Sequence, residues 1–386
     1  MIESLNLLAA KPDRMVAGLI SGTSMDGVDV VICKLSGGGI ETVWEQLYFN
    51  SYPYSDELRK KIIDTLNGTA GDVCRLNFDL GKEFSSQLKR AFDESGIDVE
   101  QLDLIGSHGQ TIYHVNGHSS LQVAEASVIA EDFGVPVISD FRVRDIAAGG
   151  NGAPLVPYLD YVLFGKDGGK LLLNLGGIAN FTIIPSAGAN LDNIRAWDTG
   201  PANMLIDLAT MHLSEGKEKF DESGKHAAEG RINEDWMKHL MAHPFVTKSP
   251  PKSTGREDFG EEYFQSLLSA FKVNSKQDKL DLIATVTRFT AESVYSNFIS
   301  FSNSGDDLLE VIVSGGGADN PVIKGHLEEL FSGLSIKKID DYGISSDAKE
   351  AFAFAVFANE FILGNPTNIP SVTGADKRAV LGKLTV

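Results

Sequence analysis

The chain has 386 residues, with 34 Lys and Arg against 53 Asp and Glu, a net charge of −19. That length suits two domains with a sizeable core, and so acidic a chain is repelled by nucleic-acid backbones and anionic lipid. No apolar run reaches the roughly 18–20 residues that span a bilayer, which excludes a transmembrane helix. The first fourteen residues hold no apolar stretch ending in a small-residue cleavage site, so no secretory signal is expected. The densest basic stretch, Arg59, Lys60 and Lys61, reads as the solvated face of an amphipathic helix. Cys33 and Cys74 are too few for a disulfide framework or a Cys–His zinc site, and a reducing cytoplasm is expected.

The 39 glycines cluster, and the clusters punctuate the predicted elements. Met15 to Ser21 reads as a strand, Gly22 to Gly27 as a tight turn, and Val28 to Leu35 and Thr42 to Phe49 as two further strands. Helices are predicted over Asp56 to Leu66 and Val73 to Phe92, a strand over Leu102 to Ser107, a helix over Ala124 to Phe133 and a buried strand over Val135 to Ser139. The second half opens alike: strand Leu171 to Leu175, turn Gly176–Gly177, strand Ala179 to Ile184. Leu282, Val286 and Phe289 form the buried stripe of a helix over Leu280 to Phe301. Strand Leu308 to Val313 then runs into Ser314-Gly315-Gly316-Gly317, and Asp347 to Leu363 is a helix apolar on most faces, expected inside the core of the first lobe. The repeated strand–turn–strand opening predicts two related α/β lobes with mixed, five-stranded sheets.

Six places carry chemistry. Ser21-Gly22-Thr23-Ser24-Met25-Asp26-Gly27 joins two strands; its N–H groups and hydroxyls suit an anion, and Asp26 suits Mg²⁺ through water. A polar hairpin turn is the plain alternative. Asn174-Leu175-Gly176-Gly177-Ile178-Ala179-Asn180 repeats the arrangement. Ser314-Gly315-Gly316-Gly317-Ala318-Asp319 offers bare backbone for a flat base or a phosphate, or is a flexible loop. None of these is a Walker A loop or a dinucleotide fingerprint. Asp198, in Asp198-Thr199-Gly200-Pro201, is a general base at a strand end or a helix N-cap. His108, in Gly106-Ser107-His108-Gly109-Gln110-Thr111, faces a ligand or is a hydrogen-bonded structural residue. Asp140 and Arg142, closing a strand, suit sugar hydroxyls and a carboxylate, or form a structural ion pair. His114 and His118 flank a turn at Asn116–Gly117, so no metal site is expected there.

In this order the motifs resemble the anhydro-N-acetylmuramic acid kinase family of the sugar kinase/Hsp70/actin group. The shared blocks are Ser21 to Asp29, Gly106 to His114, Ser139 to Pro157, Asn174 to Asn180, Asp198 to Asp207, Ser253 to Glu257, Ser314 to Pro321 and Ser345 to Ala355. The resemblance implies a two-lobed actin-like ATPase (ribonuclease H-like) fold with a nucleotide cleft between lobes. Residues 1–160 with 341–386 would form the first lobe and 161–340 the second. It implies an ATP- and Mg²⁺-dependent kinase that opens the 1,6-anhydro ring of anhydro-N-acetylmuramic acid with water and phosphorylates O6. Gly22, Thr23, Ser24, Met25, Asp26, Gly27, Val28 and Asp29 would form the phosphate loop, with Asp26 toward the metal. Gly176 and Gly177 would make the second phosphate contact, and Gly315, Gly316 and Gly317 the adenosine contact. Asp198 would be the base, and His108, Asp140, Arg142 and Glu350 would line the sugar pocket. A cytoplasmic homodimer without nucleic-acid or membrane partners is implied.

Two departures bear on the substrate. The family commonly has Gln-Ile-Gly-Asp where this chain has Gln122-Val123-Ala124-Glu125, and a glycine at Ala202. The Ala-Glu pair looks more like levoglucosan kinases, which open 1,6-anhydroglucose. Levoglucosan or another anhydrosugar is therefore the alternative substrate. A non-catalytic ATP-binding regulator and a kinase for free hexoses are the rival classes.

Overall fold

The first apolar runs form β1 (Asp13–Ser21), β2 (Gly27–Ser36) and β3 (Val43–Pro53) in the computed structural model, which describes residues 2–22, 24–186, 190–303 and 306–386. They make an antiparallel meander. After the helices Asp56–Thr65 and Ala70–Ser95 the chain returns in β4 (Leu102–Val115), parallel to β1, and then β6 (Val137–Ser139), parallel to β4. The chain divides into two units: Met1–Gly165 with Gly343–Val386, and Lys166–Tyr342.

The second unit repeats the path. β7 (Lys170–Leu175), β8 (Ile178–Ile184) and β9 (Arg195–Pro201) form an antiparallel meander, and β10 (Glu310–Ser314) and β11 (Ser335–Lys338) add in parallel on the β7 side. The strand orders β3-β2-β1-β4-β6 and β9-β8-β7-β10-β11 are one topology used twice. This is the ribonuclease H-like α/β fold of the actin-like ATPases, with the kinship of the halves visible in their opening hairpins. The expectation of five strands in each half holds only for the second. The first sheet has seven, because β5 (Ser119–Val123) folds back on β4 and β12 (Lys383–Thr385) pairs with β6.

Each sheet is covered by helices whose ends the sequence specifies. Helix Ala70–Ser95 starts at a capping box of Thr69 and Asp72 and stops at Gly96 in the left-handed region. Its Leu76, Leu80, Phe84 and Leu88 bury against Ala17, Leu19, Val30 and Ile105. Because side chains alternate along a strand, Gly18 presents the opposite face. Gly18 is the register partner of Gly106, and together they seat helix Lys349–Leu363. A methyl at Gly18 would lie 2.0 Å from the Ala351 carbonyl oxygen, and one at Gly106 2.0 Å from that of Phe354. That helix is buried from Ala351 through Glu360. In the second unit helix Lys276–Phe301, begun by a Ser275–Asp278 capping box, buries Leu282, Val286 and Phe289 as expected. Arg59, Lys60 and Lys61 lie exposed on helix Asp56–Thr65. Among the described residues no helix is long and apolar enough to cross a membrane.

Candidate active site

In the first unit β1 delivers Ser21 to the Gly22–Asp26 turn. Gln110, buried on the neighbouring β4, accepts from Ser21 Oγ at 2.6 Å and donates to the Gly22 carbonyl at 3.1 Å. Inside the turn Met25 N–H donates to Gly22 O at 3.2 Å with Met25 at φ +54°, a left-handed conformation that costs a non-glycine residue free energy. Ser24 Oγ donates to Asp26 Oδ1 at 2.8 Å, and the Asp26 carbonyl accepts from Tyr54 N–H at 2.8 Å. Gly27 is required for close approach, since a methyl there would stand 2.4 Å from the Tyr52 carbonyl oxygen. Val28 is a core residue. Thr23 lies outside the described residues.

Asp29, next on β2, accepts from Ser51 Oγ at 2.6 Å. Burial pushes its carboxyl up to about 6, and the charges of Glu350, Asp26 and Asp347 push in the same direction. No cluster of three or more metal-ligating side chains occurs among the described residues.

His108 lies within β4, which runs on to Val115, and not at a strand end. The polar Ser107-His108-Gly109-Gln110 stretch extends the strand because its buried groups find partners. Arg142 Nε donates to His108 Nε2 at 2.9 Å, which assigns the ring proton to Nδ1, 2.9 Å from the Gly109 carbonyl. Burial first, and the Arg142 charge second, hold the imidazole down to about 3, so His108 is neutral. His108 thus bonds to Arg142, whose Nη1 also donates to Gly152 O at 2.9 Å. Asp140 does not pair with Arg142. It takes φ +59° at the start of helix Phe141–Ala147, and its carboxylate accepts from Lys383 of β12. Glu350 is exposed in the first turn of helix Lys349–Leu363, where its charge acts on both Asp29 and Arg142. His114 and His118 sit on the β4–β5 hairpin and bond to Ser120, Asn116 and Ser119.

His108 and Asp140 line one pocket of about 340 Å³ with Ser107, Gln122, Glu125 and Lys383. Ser107 Oγ is buried without a partner among the described residues, a donor left for a ligand. The Ala124–Glu125 departure lies in this pocket and has a local cause. Asn77 accepts from Ala124 N–H at 3.0 Å and donates to Glu125 Oε2 at 2.9 Å, while Glu125 Oε1 caps helix Ala126–Phe133 through Ser127 N–H at 3.1 Å. Ala124 is held at φ +142° by this clamp. Asn77→Ala is expected to cost about 1–3 kcal/mol, the penalty for stranding a buried donor. Urea denaturation reads that loss.

In the second unit the β7–β8 turn is gripped by the start of helix Asn203–Ser214. Gly177 O accepts from Ala202 N–H at 2.9 Å, and Gly176 O from Asn203 N–H at 3.0 Å. Ala202, where a glycine is usual, is fully buried. Gly315 and Gly317 are not the bare backbone that was expected. Methyls there would lie 2.7 Å from Asn174 Oδ1 and from Leu175 Cβ, so both pack on the end of β7. Gly316 alone stays open, and it lines a pocket of about 440 Å³ with Asn203, Asp207, Phe220, Asp319 and Asn320.

Asp198 lies inside β9 and is not a helix cap; the residue before helix Asn203–Ser214 is Ala202, and no side chain caps it. Its N–H donates to Lys252 O at 3.3 Å, and its Oδ2 accepts from Thr254 N–H at 2.9 Å. Burial raises its carboxyl to about 6, against the pull of Thr254 N–H and the Lys252 charge. The result is a carboxylate oriented by backbone, ionised at neutral pH, and more basic than an ordinary aspartate. Lys252, Thr254 and Gln110 were not singled out from sequence; the first two lie in or beside the Ser253 to Glu257 block.

A sequence model described as anhydro-N-acetylmuramic acid kinase matches residues 14–386. The chain belongs to the anhydro-N-acetylmuramic acid kinase family. A protein of that name from Caldanaerobacter subterraneus subsp. tengcongensis is 40% identical over 389 residues, covering 97% of this chain and 98% of its own. The namesake from Clostridioides difficile (strain 630) is 42% identical, covering 95% and 97%. That from Bacillus cereus (strain AH820) is 42% identical, covering 96% and 98%. These family members match the chain along nearly its whole length, through both units.

Proposed function

We propose that Asp198 is the general base in this chain's reaction, the ATP-dependent hydrolytic opening of 1,6-anhydro-N-acetylmuramic acid with phosphorylation at O6. The observation that carries it is the part-buried Asp198 carboxylate, held by Thr254 N–H at 2.9 Å and raised by its burial to about 6. Water attacks the anomeric carbon and gives its proton to Asp198; the bond from that carbon to O6 breaks as O6 takes the terminal phosphoryl group of ATP, releasing ADP. Opening an acetal with water needs a carboxylate base on the face opposite the leaving oxygen. Phosphoryl transfer needs positioning and charge neutralisation more than covalent help.

The division of labour we propose follows the two units. In the first, Gly22 to Asp29 cradles the ATP phosphates. Asp26 and Asp29 hold Mg²⁺, which neutralises phosphate charge when bound. His108, Asp140, Arg142 and Glu350 serve the sugar, with His108 acting through Arg142. In the second, Gly176–Gly177 forms the other phosphate turn, and Gly316, seated by Gly315 and Gly317, meets the adenosine. A homodimer in the cytoplasm is our reading of the rest; Cys33 and Cys74 are both free, which suits a reducing compartment.

ADP release in Mg²⁺-ATP tests the reading, with anhydro-N-acetylmuramic acid, levoglucosan and glucose offered side by side. Turnover with the muramic sugar is expected. Preference for levoglucosan would keep the chemistry and move the substrate, and turnover with glucose alone would remove ring opening.

A further inference from the structure

Lys252 is a lysine buried to 6% exposure, and no step so far uses it. Its Nζ donates to the carbonyls of Phe245 at 2.9 Å and Val246 at 3.1 Å in helix Pro244–Thr247. The ammonium lies over the rings of Phe245 and Phe301, 4.7 and 5.4 Å from their centroids, a favourable place for a cation. The same Val246 carbonyl accepts from Asn297 Nδ2, which also donates to Thr199 O, the residue after Asp198. The backbone from Lys252 to Thr254 then brackets Asp198, taking its N–H at one end and holding its carboxylate at the other.

We propose that Lys252 is a positioning residue for Asp198, a fixed internal cation that keeps the neighbouring carboxylate ionised and holds the 252–254 segment against β9. This rests on the reading of Asp198 as base. A buried ammonium is costly and persists where compensating groups surround it. The charged groups acting on Asp198 are Lys252 and, with opposite effect, Glu257; those acting on Lys252 are Asp198 and Lys248. The other neighbours are neutral: Asn180 across the β8–β9 ladder, and Asn297 and Phe301 from helix Lys276–Phe301. Arg195, also on β9, is committed to Asp306 and the Phe301 carbonyl. Burial brings Lys252 down to about 8, so it is charged where Asp198 must be. Phe245 O keeps Lys248 N–H, and Val246 O keeps Asn297, when the ammonium is removed, so a methionine strands neither carbonyl.

The test is the pH profile of kcat/KM for ADP release with anhydro-N-acetylmuramic acid, in the parent protein, Lys252→Met and Lys252→Arg. The acid limb is expected to move up by about one pH unit in Lys252→Met, so that activity near its foot falls about tenfold. Lys252→Arg should return it. An unmoved acid limb, whether or not Tm or rate falls, would overturn the proposal. If Lys252→Met does not fold, the ¹³C shift of the Asp198 carboxyl in the parent protein decides. With Asp198→Asn to assign the signal, inflections are expected near pH 6 and again near pH 8 as Lys252 loses its proton. A single inflection overturns the idea. Turnover retained by Asp198→Asn would instead sink the base reading, and the carboxyl titration would still judge the Lys252–Asp198 coupling.

Discussion

Asp198→Asn is expected to lose about 10²–10⁴ in kcat/KM, the usual contribution of a positioned general base, while ATP still binds. Asparagine keeps the shape and can still accept from Thr254 N–H, which bonds to Asp198 Oδ2 at 2.9 Å, so the change removes basicity and little else. The same variant should be more stable than its parent at pH 7. The folded-state carboxyl titrates near 6 against an ordinary value of 3.8, so between those values the native state binds the extra proton. Stability from this group is complete below about pH 4 and is lost as pH rises through 6. At pH 7 the full cost of the buried charge stands, about 2–3 kcal/mol for a shift of roughly two pH units, net of the attraction to Lys252. Calorimetry at pH 7 should show a raised Tm in Asp198→Asn, with the gap closing toward pH 4. Isothermal titration with an ATP analogue checks the retained site. Activity surviving the change would remove Asp198 as base. A lowered Tm would show that the carboxylate is structural.

Much of this arrangement was legible in the sequence, for reasons that also show where legibility ended. The two meanders stood out because apolar runs such as those of β1 and β7 are bounded by glycine turns, and a repeated pattern reports a repeated topology. Helix Lys276–Phe301 stood out through its buried stripe. β4 was cut short at Ser107 because His108 and Gln110 read as polar loop residues. Their burial depends on Arg142, Ser21 and Gly22, partners that the chain brings together only after folding. The bond from Arg142 to His108 is of this kind: no spacing in the sequence reveals it. Gly315 and Gly317 looked bare, since a sequence does not show that the end of β7 fills the space beside them. Lys252 is one lysine among many basic residues, and only its burial over Phe245 and Phe301, with its carbonyl taking the Asp198 N–H, sets it apart. β12 was missed because three residues carry no period; its pairing with β6 brings Lys383 to Asp140.

Gly106→Ala is expected to be strongly destabilising, at about 3 kcal/mol or more, beyond ordinary overpacking. The added methyl would stand 2.0 Å from the Phe354 carbonyl oxygen and 3.0 Å from Ala358 Cβ. Neither neighbour can yield alone: the carbonyl is helix backbone, and that helix is buried from Ala351 through Glu360. The helix must therefore lift as a body from β1 and β4. Its departure carries function with it, because Glu350 is in its first turn and the Phe354 ring packs on His108 with centroids 4.6 Å apart. A displaced His108 releases Arg142, so the KM for the sugar should rise along with the fall in Tm. Gly325→Ala supplies the contrast. Gly325 is exposed in helix Pro321–Leu330 with nothing within 4 Å of an added methyl, and the same change there should stabilise by about 0.5–1 kcal/mol. Opposite signs for one chemical substitution would show that the Gly18–Gly106 pair is a seat for the helix. Equal, small effects would show that the helix tolerates lifting and that its close approach is not what fixes His108 and Arg142.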